Sequence, residues 1–203
     1  AFLINIHPEA EFQKVLGFGG AFTDTAAHAW KKMSEGNRKK LIKLYFNREE
    51  GIGYNFGRCH IGSCDFSTEN YSYTEDGDLS LETFTIKRDF EAVIPFLKEA
   101  LAENNNIKLF ASPWSPPAYM KTNNSLIGGS LKKDCYSLWA KYVRKYFDSY
   151  KSEGIDFWGV TVQNEPRHNQ VWESCVYTEE EERDLLKNHL GPALEGTDIN
   201  IIC

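Results

Sequence analysis

The segment "GVTVQNEPRH", residues 159–168, ends an apolar run with an amide and a carboxylate, Asn164 and Glu165, and stops at Pro166. A glutamic acid held in a pocket is favoured in its neutral form, which can protonate a leaving oxygen. The neighbouring amide can both donate to and accept from a substrate hydroxyl. The pattern therefore predicts Glu165 as a general acid/base, with a structural ion pair as the alternative interpretation.

Further unusual residues also follow short apolar runs. Trp114 lies in the stiff segment "ASPWSPPAYMKTN", where a flat ring held by prolines is either a sugar-binding surface or a packed loop aromatic. Arg58 ends another run with Asp65 just beyond it, and Asp24 follows the first run. These side chains need elements that bring them to one place.

The chain alternates between such β-rich runs and helical patterns. The runs lie at about 15–19, 54–61, 107–111, 157–163 and 199–203. The helical patterns cover 34–46, 87–103 with Pro95 inside, a stretch from a predicted cap at Asp134 to a stop at Gly154, and one opening with the capping box Thr178/Glu181. This alternation predicts parallel βα units.

Both a doubly wound sheet and a (β/α)8 barrel fit the alternation. An open doubly wound sheet would gather its site residues at one switch point. Here the unusual residues follow four consecutive strands, and barrel enzymes build their sites from several strands at that end. The distribution therefore favours an α/β (β/α)8 barrel.

Composition narrows the function classes. The 203 residues are 41% hydrophobic with a net charge of -6, which is typical of a globular domain and argues against a nucleic-acid partner. No apolar run approaches the ~20 residues of a membrane span. The five cysteines lack metal-ligand spacing, so we expect free, packed thiols and no metal or cofactor.

The two ends suggest a trimmed chain. It starts at Ala1 rather than Met and stops within the apolar run "DINIIC". We therefore expect a processed N-terminus and a barrel cut after about five βα units. Localisation is unreadable, and a secreted and a cytoplasmic protein fit equally well.

Five long motifs occur in order along the chain: "GFGGAFTD", "SCDFS", "ASPWSPPAYMKTN", "WGVTVQNEP" and "VWESCVYTEEE". Together they resemble glycoside hydrolase family 30, in its glucosylceramidase-like branch. The resemblance implies a (β/α)8 barrel with a β-sandwich side domain. Residues 1–10 would then be an N-terminal strand of the side domain, and residues 11–203 the N-terminal part of the barrel.

The resemblance also implies roles for individual residues. Glu165 matches the general acid/base, and Asn164 matches the residue that contacts the sugar 2-hydroxyl. Arg58 matches an arginine that supports the catalytic carboxylates. The remaining residues expected to bind substrate are Asp24, Asp65, Trp114 and Trp172.

The chemistry implied by the resemblance is retaining hydrolysis of a β-linked glycoside, namely an oligosaccharide, an aryl or alkyl glucoside, or a glycosphingolipid. The nucleophile would be a glutamate on the seventh strand, outside these residues. An inverting pair of Asp65 and Glu165, which would need ~6.5–9.5 Å between carboxylates, is disfavoured because Asp65 matches a binding residue. Alternative functions are a β-xylosidase or β-1,6-glucanase, or a non-catalytic carbohydrate-binding protein.

Overall fold

The computed structural model describes residues 2–203, which form one five-stranded parallel sheet with helices between the strands. Its spatial order equals its chain order. The strands are β1 (Gly19–Phe22), β2 (Phe56–Ile61), β3 (Lys108–Pro113), β4 (Gly159–Thr161) and β5 (Asn200–Ile202). A doubly wound sheet reverses its strand order at a switch point. The uninterrupted order instead matches the first five units of a barrel, so the predicted fold class is confirmed.

The α-helices that connect the strands lie mainly against one face of the sheet. They are α1 (Asp24–Lys31), α2 (Glu35–Phe46), α3 (Val93–Glu103), α4 (Tyr136–Ser152), α5 (Glu179–Leu185) and α6 (Gly191–Leu194). Shorter 3₁₀ turns occupy Lys87–Glu91, Ala118–Met120 and Lys133–Cys135, and a π-helical turn covers Leu186–Leu190.

The core lies between α3, α4 and the helix-facing side of the sheet. The apolar stripe predicted for α4 is buried there, including Trp139, Tyr142, Tyr146 and Tyr150. The hydroxyls of Tyr142, Tyr146 and Tyr150 have hydrogen-bond partners; that of Tyr150, for example, donates to Asp89 Oδ2 at 2.6 Å. Burial raises the pKa of Asp89, while its tyrosine hydrogen bonds oppose the rise. The core is therefore aromatic with a small buried polar network.

Several predicted element ends are confirmed. Ser34 caps α2, and Thr178 with Glu181 forms the capping box of α5. Gly154 follows α4 with φ 76°, a left-handed conformation that favours glycine. The helix predicted over 87–103 is divided, however, into the 3₁₀ turn Lys87–Glu91 and α3, so Pro95 lies in the first turn of α3, where a missing N–H costs no helical hydrogen bond.

Other details were predicted wrongly. Asp134 lies in a 3₁₀ turn, and no side chain caps the start of α4. The first strand begins at Gly19 rather than near residue 15, because pairing with β2 starts at Gly19 opposite Phe56. Helix α1, capped by Thr23, was not predicted at all.

The N-terminal segment is largely exposed. Residues 2–12 form no strand in the structure, and their apolar side chains, such as Phe2 and Ile4, face solvent. Residue 1 lies outside the described part of the chain. The assignment of residues 1–10 to a side β-domain therefore stays a prediction.

Candidate active site

Arg58 connects three neighbouring strands at one end of the sheet. From β2 its Nη2 donates to Asn164 Oδ1 beyond β4 at 2.6 Å, and its Nε donates to Ser112 Oγ on β3 at 2.9 Å. Thr161 on β4 donates to the same Ser112 hydroxyl at 2.7 Å. Parallel strands present their carboxyl ends at one edge, so distant sequence positions become a hydrogen-bonded cluster.

Trp114 belongs to the same cluster. The guanidinium carbon of Arg58 lies 4.5 Å from the centroid of the Trp114 ring, a cation–π contact. The tryptophan is only 9% exposed, so it is packed as well as placed beside the cluster. Burial lowers the pKa of Arg58, and the negative charges of nearby groups, including Asp65 and Glu165, oppose this.

Glu165 has an unusual backbone. Its φ is 47°, in the left-handed region, which is uncommon for a residue other than glycine. The backbone is tied on one side by the Asn164 N–H, which donates to Pro113 O at 2.8 Å, and by Pro166 on the other. Such strain costs about 1–3 kcal/mol and clusters at functional sites.

The side chain of Glu165 is exposed among the described residues, and its expected burial in a pocket of the complete barrel stays a prediction. The five strands do not close into a barrel, since β1 and β5 do not pair, so they do not by themselves enclose a pocket around Glu165. Its carboxylate accepts one side-chain hydrogen bond, from Gln170 Nε2 to Oε2 at 3.0 Å.

The remaining predicted site residues surround this cluster at different depths. Asp65 is exposed in the β2 loop (residues 62–86), and Trp172 is half-buried in the β4 loop (residues 162–178). Asp24 is buried, and its Oδ2 accepts from the N–H and hydroxyl of Thr68, both at 2.8 Å, and from Arg88. Asp24 therefore contacts the β2 loop through Thr68.

The structure also adds residues that sequence reasoning missed. Buried Gln163 donates through Nε2 to the carbonyls of Trp114 and Asn164, at 2.8 and 2.9 Å. Buried Glu173 accepts from Asn70 Nδ2 at 2.9 Å and so joins the β4 loop to the β2 loop. The position of polar Gln163 directly before Asn164 was a weak signal of its role. Nothing in the sequence indicated a role for Glu173.

Within residues 2–203, no group of three or more His, Cys, Asp or Glu side chains is arranged to hold a metal ion. All five cysteines are free, as expected, and four are packed in the interior, whereas Cys203 is exposed rather than packed. Burial raises the pKa of the Cys64 thiol, near Arg58, to about 11, which keeps it neutral. Over the same described range, the helices are too short or too polar to cross a bilayer.

Residues 15–201 match the family model for the glycosyl hydrolase family 30 TIM-barrel domain. The chain belongs to glycosyl hydrolase family 30. Lysosomal acid glucosylceramidase from Mus musculus is 37% identical over 211 residues, covering 98% of this chain and 41% of the mouse protein. The predicted family is confirmed by the first of these findings.

Two solved structures extend the comparison. SrfJ from Salmonella typhimurium is 40% identical with a TM-score of 0.90, and covers 96% of this chain and 45% of its own. The endo-β1,6-glucanase BT3312 is 32% identical with a TM-score of 0.91, and covers 96% and 45% likewise. The family 30 chain thus spans less than half the length of these relatives.

Proposed function

We propose that the complete protein is a retaining β-glycoside hydrolase of the glucosylceramidase-like type, with Glu165 as its general acid/base. Retaining hydrolysis needs a second carboxylate about 5–5.5 Å from the first. We propose that this nucleophile is a glutamate on the seventh strand of the complete barrel. Family 30 membership and the named relatives support the reaction class.

The observation that carries the proposal is the Arg58 cluster. One guanidinium contacts Asn164, next to Glu165, and also packs on Trp114. A hydrolase needs its proton donor fixed relative to the sugar, and this cluster joins the proposed donor segment to the proposed sugar-binding wall. The strained backbone of Glu165 supports the same assignment.

We assign the proposed binding roles by position. Asn164 would contact the 2-hydroxyl through its amide, and exposed Asp65 would accept hydrogen bonds from sugar hydroxyls. Trp114 would form one wall, with Trp172 further out on the β4 loop. Asp24 would act indirectly by holding the β2 loop through Thr68.

The proposed substrate is a β-glucoside with a hydrophobic or sugar aglycone. The relative named glucosylceramidase favours a glycosphingolipid or an alkyl or aryl glucoside. A second candidate is a β-1,6-linked glucan, favoured by the similarity to BT3312, which is named an endo-β1,6-glucanase. β-Xylosidase activity stays a less supported alternative.

The experiment is a substrate panel on the complete protein. Aryl β-glucosides, aryl β-xylosides, glucosylceramide and a β-1,6-glucan are compared by kcat/KM, and the first-formed anomer is followed by NMR. We expect turnover of a β-glucoside with the β-anomer released first. Release of the α-anomer would refute a retaining mechanism, and binding without turnover of any member would favour a non-catalytic carbohydrate-binding protein.

We also propose that residues 1–10 add a strand to a side β-domain. The exposure of the apolar side chains Phe2, Leu3, Ile4 and Ile6 in "FLINI" supports this, because an exposed run of apolar side chains marks a surface that another part of the protein covers. Replacing Ile4 and Ile6 by Asp should lower the melting temperature of the complete protein.

A further inference from the structure

Lys121 is fully buried, at 0% exposure, although lysine is rarely buried without an ionic partner. Its ammonium forms no ion pair with a carboxylate within residues 2–203. Instead Nζ donates to three oxygens: Ser115 Oγ at 2.8 Å, Leu126 O at 3.1 Å and Ser174 O at 2.5 Å. A buried cation is costly unless it is fully hydrogen-bonded, so the charged form of Lys121 depends on these three hydrogen bonds.

The three oxygens match the three N–H donors of an ammonium group. The two carbonyls can only accept, and the Ser115 hydroxyl already donates its own hydrogen to Pro116 O at 2.9 Å. Leu126 O also accepts from the Ser174 N–H at 3.0 Å, whereas Ser174 O and the Ser115 hydroxyl oxygen have Lys121 as their one donor within residues 2–203. A neutral amine has only two hydrogens, so deprotonation would remove one of the three hydrogen bonds between Lys121 and the two loops.

The acceptors lie on two loops that carry proposed site residues. Ser115 follows Trp114 directly in the β3 loop (residues 114–132). On the β4 loop, the Ser174 hydroxyl accepts from Gln170 N–H at 3.3 Å, and Gln170 Nε2 in turn donates to Glu165. The ammonium is thus connected to the aromatic wall on one side and to the carboxylate on the other.

We propose that Lys121 is a positioning residue that ties the β3 loop to the β4 loop and thereby fixes Trp114 and the Gln170 partner of Glu165. The role of Lys121 in positioning active-site residues rests on the proposed hydrolase function. The connection that Lys121 makes between the β3 and β4 loops rests on the hydrogen bonds alone. Lys121 touches neither proposed reacting group and acts through the loops.

The tie should depend on pH. Burial lowers the pKa of Lys121 to about 8, and the nearby Cys175 thiol is the one titratable group that opposes the shift. Glu173, the carboxylate next to Ser174 on the β4 loop, accepts a hydrogen bond from Asn70 and forms no ion pair with Lys121. Lys121 therefore keeps its proton at pH 7 and loses it as the pH rises through about 8, which loosens both loops.

Enzyme activity can report the deprotonation of Lys121 separately from the ionisation of the proposed acid/base, Glu165. A dinitrophenyl β-glycoside has a leaving group that needs no proton, so its kcat/KM does not depend on the protonation of Glu165. An alkaline decrease centred near pH 8 with this substrate would therefore report the loop tie. We expect it in the wild-type complete protein.

Three variants of the complete protein test the assignment. Lys121→Met keeps chain length without charge and should lose at least tenfold in kcat/KM at pH 7 together with the alkaline step. Ser115→Ala leaves two acceptors, which a neutral amine can satisfy, so the step should shrink. Lys132→Met is the matched control, since Lys132 donates to one carbonyl, Tyr119 O, at 2.9 Å, and it should behave as wild type.

Tryptophan fluorescence titrated without substrate gives an independent measurement should Lys121→Met fold poorly. The wild type should show a midpoint near pH 8 that weakens in Ser115→Ala and persists in Lys132→Met. A fluorescence step without hydrolysis of any substrate would refute the proposed function and leave the tie intact. Hydrolysis without either step, or a step unchanged in Ser115→Ala, would overturn the inference.

Discussion

Replacing Arg58 by Met in the complete protein should remove the cluster that joins three strands. The substitution deletes the hydrogen bond from Nη2 to Asn164 Oδ1 at 2.6 Å and the cation–π contact with Trp114. A hydrogen bond to a charged group contributes about 1.5–3 kcal/mol, and a partly desolvated cation–π contact about 0.5–2 kcal/mol. The two share one side chain and are not additive, so we expect a loss of about 2.7 kcal/mol.

That loss corresponds to about 100-fold in kcat/KM, because each tenfold in rate is ~1.4 kcal/mol. Without Arg58 the Asn164 amide can rotate and exchange its donor and acceptor positions, so the loss should appear with every substrate that carries a 2-hydroxyl. The assay is kcat/KM for a dinitrophenyl and an alkyl β-glycoside. Arg58→Lys should recover at most about tenfold, because lysine lacks the planar fork that Arg58 uses.

The matched control is Arg38→Met, which removes a cation–π contact of the same type, between Arg38 and Trp30 at 5.3 Å, on α2 and α1. It should change kcat/KM less than threefold. The reasoning is refuted if Arg58→Met also stays within threefold of wild type while its melting temperature falls. Arg58 would then stabilise the strand ends without a role in the reaction.

Two further predictions concern other residues at these strand ends. Trp114→Ala should lower kcat/KM by at least about tenfold without unfolding the protein; a sharp fall in melting temperature with unchanged activity would identify Trp114 as a packing residue. Burial acts to raise the pKa of Asp24, but hydrogen bonds from Thr68 and the charge of Arg88 outweigh it and lower the pKa below 3.8. A carboxyl group whose pKa is lower in the folded than in the unfolded state stabilises the fold at pH values above its unfolded-state pKa. This stabilisation is lost as the pH falls through the folded-state pKa. The melting temperatures of wild type and Asp24→Asn should therefore differ at pH 7 and converge below about pH 4; a constant difference would contradict this.

The sequence predicted the location of the site better than its contacts. Arg58, Trp114 and Asn164 were expected near one another because each follows a parallel strand, and parallel strands end at the same edge. The hydrogen bond and the cation–π contact among them confirm that proximity. Strand periodicity does not specify which atoms meet, so the pairing of Arg58 with the Asn164 amide could not be predicted.

Other features depended on loop geometry that local patterns do not encode. Glu165 has a left-handed φ of 47° between Asn164, whose N–H donates to Pro113 O, and Pro166, and this long-range hydrogen bond cannot be predicted from the local pattern. The burial of Lys121 similarly requires two loops to close over it. The expected pocket around Glu165 also depends on strands that close the barrel, and the five strands described here leave its side chain exposed beyond the end of β4.

The role of Glu165 is tested by leaving-group dependence in Glu165→Ala of the complete protein. An alkyl leaving group departs poorly without a proton, so its hydrolysis should become very slow, whereas dinitrophenolate release should be nearly spared. The second step then lacks its base, and a glycosyl-enzyme should accumulate after a burst. Azide needs no base to attack, so it should restore turnover and yield a β-glycosyl azide, because two displacements retain configuration.

The matched control is Glu179→Ala, since Glu179 is an exposed glutamate that pairs with Arg167 at 2.7 Å and starts α5. It should leave both substrates unaffected and show no response to azide. If Glu165→Ala instead slows activated and unactivated substrates equally and azide changes nothing, Glu165 is not the acid/base. An α-glycosyl azide would refute the mechanism on different grounds, because it would report a single inverting displacement with no glycosyl-enzyme.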